Sequence, residues 1–197
     1  SNREANEAAI KNYEASPDSY KPEELMPVAV CYMGVGNMQK AKSLFEAFLA
    51  ARPDNLRAIR TLGTLSMLSK DFEASKKYYD KAIKLGDDPS AVYAATVCIM
   101  QQKPDEISAY LPTLKKLAKE NLESLNLAMV YALRDSKNPD NALVKELVGG
   151  IDARKMISSS TPDALATILR LYLGTRDLWT PSASVVPARA AALLESW

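Results

Sequence analysis

Asp71-Phe-Glu-Ala-Ser-Lys-Lys-Tyr-Tyr-Asp-Lys-Ala-Ile-Lys84 is an amphipathic stretch whose pattern already stands thirty-four residues upstream. Asn37, Ala41 and Phe45 are answered by Asp71, Ser75 and Tyr79. A period of that size marks stacked helical hairpins, because one hairpin cannot bury its own apolar face and successive copies bury it between them. Asn37 and Asp71 head the second helix of each copy, where a short polar side chain caps the free N–H groups.

Helical spacing dominates the rest of the chain, and no stretch alternates well enough to predict a strand. A first helix, about 3–15, carries Ala9, Ile10 and Tyr13 on one side and stops before Ser16-Pro17-Asp18. It is expected to be a cap or the second half of an upstream repeat. Pro22-Glu23-Glu24 suits a helix start, and Gly34-Val35-Gly36-Asn37 a tight turn. Leu44, Phe45, Phe48 and Leu49 stripe the helix that follows. The next hairpin repeats the plan with Ile59, Leu62, Leu65 and Met67, then Phe72, Tyr79, Ala82 and Ile83.

The third copy continues the count of thirty-four, so Asp105 is expected to cap and Ala109 to be the small contact residue. Pro112 falls inside its second helix, where a proline costs on the order of 3 kcal/mol, so a kink or a restart is expected there. Leu122, Leu125, Met129 and Leu133 stripe a fourth, divergent hairpin that Gly149-Gly150 closes. The expected organisation is an N-terminal helix over 1–20, an array over 22–149 (22–55, 56–89, 90–123, 124–149), and capping helices over 151–197. Thr161-Pro162 starts the first of those caps.

Composition excludes several classes. The 197 residues carry a net charge of +1, are 47% hydrophobic and contain no histidine. Near-neutral charge argues against nucleic acid as a partner. The basic run Lys76, Lys77, Lys81 and Lys84 is interleaved with Asp80 and aromatic residues, which fits a solvated outer face. No stretch approaches the ~20 apolar residues of a membrane span. Without histidine the commonest general base and transition-metal ligand is missing, and Gly34-Val35-Gly36 is no phosphate loop because it follows a helix and lacks a further glycine. Cys31 and Cys98 read as small buried hydrophobes. No enzyme, metal or cofactor is expected. Ser1-Asn2 resembles a tag scar, so a targeting segment ahead of Arg3 stays open, and bacterial cytoplasm and periplasm both fit.

Residues 22–88 resemble tandem tetratricopeptide repeats, and weaker copies carry the resemblance to about 149. Leu62-Gly63, Asp71-Phe72, Tyr79 and Ala82 carry it in one copy; Gly36, Asn37, Ala41, Phe45 and Pro53 carry it in the other. Ala29 stands where the motif has glycine, and Asp87 where proline is usual. The resemblance implies an all-α, right-handed superhelix (an α-solenoid) of three to four hairpins whose first helices line a concave groove for peptides. Carried onto this chain, the groove-facing positions are Met26, Val30 and Met33, then Arg57, Arg60, Thr64 and Met67, then Ala94, Cys98 and Gln101, with Leu125 and Ala128 in the fourth copy.

The implied function is a non-enzymatic scaffold that binds a peptide or helical segment of a partner protein. Met side chains suit varied apolar partners, and Arg57 with Arg60 a carboxylate. Repeats that clamp the acidic tails of heat-shock proteins use Lys, Arg and Asn where this chain has Met26, Val30, Arg60, Ala91 and Ala95, so that clamp is not expected. Two alternatives stand beside the scaffold reading. One is a structural or assembly component of a larger, envelope-associated complex, with self-association. The other is a chaperone similar to those that hold translocators for type III secretion, from which the long tail after Gly150 departs.

Overall fold

Polar side chains start the helices of the first two hairpins, as their sequence positions require. Asn37 Oδ1 accepts from the Lys40 N–H at 3.1 Å, Asn55 Oδ1 from Ala58 at 3.0 Å, and Asp71 Oδ1 from Ala74 at 3.2 Å. Each satisfies one of the donors that a helix start leaves without an internal partner. The structure, a computed structural model, describes residues 2–119, 122–133 and 142–149. All regular elements among them are helical. They are α1 (Asn2–Ala15), α2 (Leu25–Gly34), α3 (Met38–Ala51), α4 (Leu56–Leu68), α5 (Phe72–Lys84), α6 (Ser90–Met100), α7 (Leu111–Ala118), α8 (Leu122–Leu133) and α9 (Ala142–Gly149). The helices expected over 151–197 lie outside the described residues.

The chain divides into two compact units, residues 1–97 and 98–197, with the boundary inside α6. In the first, α2 pairs with α3 and α4 with α5, while α3 packs on α4 and α1 on α2. Thus α1 packs on α2 as α3 packs on α4. Its buried contact is Ile10, and Tyr32 of α2 donates a hydrogen bond to Glu14 Oε1 at 2.8 Å. Tyr13 meets Tyr20 and Tyr32 edge to face, with centroids 5.2 and 6.4 Å apart.

The core of this unit runs through Leu25, Val28, Ala29, Tyr32, Ala41, Leu44, Phe45, Phe48, Ala58 and Leu62. Small residues set how near the paired helices come. Ser75 is fully buried, and its hydroxyl crosses to the Gly63 carbonyl at 2.8 Å.

The second unit keeps the hairpin logic with altered pieces. Pro104–Ala109 forms a 3-10 helix, Tyr110 turns, and α7 begins at Leu111 with Pro112 in its first turn. The proline therefore restarts the helix, since in the first turn its missing N–H removes no internal bond. Against expectation, Asp105 lies inside the 3-10 helix instead of capping, and Ala109 is exposed while Ile107 is fully buried. α7 and α9 both pack on α8 or its neighbours, and Lys115 of α7 pairs with Glu146 of α9.

Local geometry explains the lost register. Gly36, Lys70 and Gln102 take a positive φ where the first helix of each copy turns into the second. The N–H after each closes on the first helix: Asn37 on Tyr32, Asp71 on Ser66, Lys103 on Cys98, all at 2.9 Å. Asn37 and Asp71 stand 34 residues apart, but Asp71 and Lys103 only 32. Burial agrees, because Ala58, Ile59, Leu62, Leu65 and Ser66 of α4 are matched 32 later by Ser90, Ala91, Ala94, Val97 and Cys98. The shortening lies between α5 and α6, where Gly86 at φ 90° turns the chain more tightly than Arg52-Pro53-Asp54-Asn55 does. Asp87 therefore matches Asn55 and not Pro53.

Candidate functional site

α4 separates its residues cleanly. Ala58, Ile59, Leu62 and Leu65 are buried, while Arg57 and Arg60 are exposed and Thr64 and Met67 half-buried. Arg57 makes no ion pair among the described residues, and only its backbone carbonyl is used, by the Thr61 hydroxyl at 2.8 Å. Arg60 is engaged: its Nε lies 3.7 Å from Asp87 Oδ2, and the Asp87 side chain is just 13% exposed. Asp87 also accepts from the Ser90 hydroxyl. The guanidinium predicted to grip a partner's carboxylate already has one of the chain's own beside it.

Below Arg60 sits a small polar and aromatic relay. The Thr64 hydroxyl lies 3.1 Å from the Arg60 carbonyl, to which it can donate, and 3.0 Å from the Tyr79 hydroxyl, where either group can be the donor. Burial raises the Tyr79 pKa above its ordinary value, with the bond to Thr64 and the Arg60 charge pulling the other way. The Tyr79 ring stacks on Tyr93 of α6, with centroids 5.4 Å apart and planes 20° from parallel. Tyr79 is 1% exposed and Tyr93 38%, so the pair joins the interior of the first unit to its surface.

On α2, Val30 is exposed, while Met26 and Met33 pack partly against the core and present the remainder outward. Sequence placement thus brings seven of the expected residues onto the exposed or half-exposed sides of α2 and α4. In the third copy it does so for Gln101 alone. Ala94 and Cys98 are fully buried and Gln101 is half-buried. All three positions stand 34 residues after Arg60, Thr64 and Met67, whereas a 32-residue step matches those residues with Val92, which is itself buried, Thr96 and Ile99. Leu125 and Ala128, expected from the fourth copy, are also buried.

Tyr93 was not among the expected residues, and at a 32-residue step it matches Thr61, which lay outside the expected face. The cue to a step below 34 was the short Leu85-Gly86-Asp87 connection. Among the described residues no group of three Cys, Asp or Glu side chains could hold a metal ion, and no helix is long and apolar enough to cross a membrane.

No family model matches the chain, and no curated protein does. Solved structures do resemble it. BtubC (BKLC) from P. vanneervenii superposes with a TM-score of 0.54 at 15% identity, over 100% of this chain and 90% of its own. YrrB, a TPR protein with an unusual peptide-binding site, aligns over 96% of this chain and 99% of its own at 14% identity. Its TM-score of 0.44 is too low for the superposition to bear on function. Identities at this level speak for the fold alone. The described elements form an all-α arrangement of helical hairpins, a fold similar to that of BtubC.

Proposed function

We propose that the chain is a non-enzymatic protein–protein interaction scaffold whose α2 and α4 faces, with Tyr93 at the start of α6, receive a peptide or short helix of a partner protein. The observation that carries this reading is Arg57, an exposed cation with no ion pair among the described residues, on the same helix as half-exposed Thr64 and Met67. A peptide recognised here gains a charge-assisted contact at Arg57 and apolar contact at Val30, Met33 and Met67. Arg60 serves as a positioned donor, its orientation held by Asp87.

The test is affinity capture with the chain from a lysate of its source organism, the partner being identified by mass spectrometry. Arg57→Glu and Met67→Glu are each expected to weaken capture of that partner about tenfold, which is the size of one lost contact of ~1.4 kcal/mol, with the helical circular-dichroism signal unchanged. Arg57 is a sharper probe than Arg60, since Arg60→Glu would set a second carboxylate beside that of Asp87. Equal capture by both variants would place the site elsewhere.

A further inference from the structure

The outer side of α5 carries a second concavity that the peptide face on α2 and α4 does not use. It is an open trough of about 560 Å³. Leu49 of α3 and Tyr78 of α5, both packed partly against the core, supply its apolar lining. Lys76, Lys77, Lys81 and Lys84 supply its charge, against the carboxylates of Glu73 and Asp80. Four cations to two anions is a local excess in a chain whose net charge is only +1.

Not every lysine is free to act on a ligand. Lys81 binds the Pro53 carbonyl and lies 3.9 Å from Asp54, while Glu73, Lys76 and Asp80 each have interactions of their own. Lys77 and Lys84 make no ion pair among the described residues. They stand seven residues apart on one helix, hence roughly 10.5 Å along its axis.

That spacing decides the ligand. Cations carried two helical turns apart suit a ligand whose charges are spread along its length, whereas the usual sites of a single phosphate converge backbone N–H groups or arginine forks on one point. A peptide extended in the polyproline II form has three residues per turn and rises roughly 3.1 Å per residue, so acids at i and i+3 fall on one side about 9 Å apart and meet both lysines while the residues between them reach Leu49 and Tyr78. Burial, with the Glu46 and Asp71 charges, raises the Tyr78 pKa, so its hydroxyl stays neutral and able to donate.

We propose that the trough along α5 is a second docking surface, for an acidic, extended peptide segment of a partner protein with apolar side chains between its acids. The surface lies on a different helix from the peptide face and does not depend on it. The probe is a fluorescein-labelled synthetic peptide with Glu at every third position and Leu between, titrated with the full chain and followed by anisotropy. Saturable binding is expected that weakens as salt rises, because exposed charges are screened within roughly 10 Å at 0.1 M. Lys77→Glu with Lys84→Glu should weaken it at least about tenfold, and the Gln pair should fall between. Arg57→Glu should leave it unchanged.

Five outcomes would overturn the proposal. They are absence of saturable binding, equal binding by the double charge reversal, and loss of binding in Arg57→Glu, which would move the peptide to α4. The fourth is displacement of the peptide by an equal concentration of tripolyphosphate, which would make the trough an anion site only. A control peptide with Gln for Glu that bound equally well would reduce the contact to unspecific apolar adhesion and refute it too.

Discussion

A β-carbon built on Gly63 would lie 2.7 Å from Cε1 and 2.9 Å from Cζ of Tyr79. The ring cannot easily retreat, being 1% exposed, stacked on Tyr93 and tied through its hydroxyl to Thr64. In the preceding copy the equivalent pair is Ala29 and Phe45, both buried, so a β-carbon is accommodated where the ring has no hydroxyl to hold it. Gly63→Ala gains about 1 kcal/mol of helix propensity but overpacks the hairpin at a cost of about 1–3 kcal/mol. The expected net loss is about 1 kcal/mol, read as a lower urea midpoint with unchanged slope. Adding Tyr79→Phe should recover part of it, because the freed ring can tilt, and the two substitutions should then be non-additive in a double-mutant cycle. The same relay bears on the peptide face, since Thr64 and Arg60 are held by the groups that hold Tyr79.

Helices α2 to α5 were legible in the sequence because each signals its own start and face. Asn37, Asn55 and Asp71 cap where their spacing places them, and α4 alternates arginines with buried Ile59 and Leu62 at helical intervals. α6 offers no such mark. Ser-Ala-Val-Tyr-Ala-Ala-Thr-Val-Cys-Ile-Met is apolar on every side, so its periodicity cannot fix which residues face inward, and a count of 34 runs through it unopposed. The cost was that Ala94 and Cys98, expected on the groove, are buried. The third copy also lacks a cap. Lys103 stands where Asn37 and Asp71 stand, with similar backbone angles (φ −117°, ψ 60°) and no side-chain cap bond. Its contact with Glu106 at 3.7 Å is an exposed pair, the kind worth at most about 1 kcal/mol. Lys103→Asn should exchange that pair for a cap bond to the following turn and stabilise the second unit by about 0.5 kcal/mol. Thermal unfolding with the wild type alongside would check it, and a loss of stability would show that the cap geometry is not met.

Across the whole chain the absence of histidine removes the side chain that ordinarily titrates between about pH 5 and 8, and tyrosines shape the alkaline limb instead. Burial first, then the bond to Glu14, push the Tyr32 pKa from 10.0 up to about 12. Burial also raises Tyr78 and Tyr79. Below pH 10 both the folded and the unfolded tyrosine hold the proton, so the contribution of such a group to stability is constant there. Above it the unfolded tyrosine ionises and the folded one does not, so the unfolded state binds fewer protons and stability falls with rising pH. For Tyr32 the fall continues until the pH reaches about 12, at a slope approaching 1.4 kcal/mol per pH unit. The urea midpoint should therefore stay nearly level from about pH 6 to 9 and drop beyond 10. Tyr32→Phe should begin lower, having lost the hydrogen bond that joins α1 to α2, and decline less steeply. A midpoint that fell as fast in Tyr32→Phe as in the wild type would assign the alkaline limb to other groups and leave α1 secured by its apolar contacts alone.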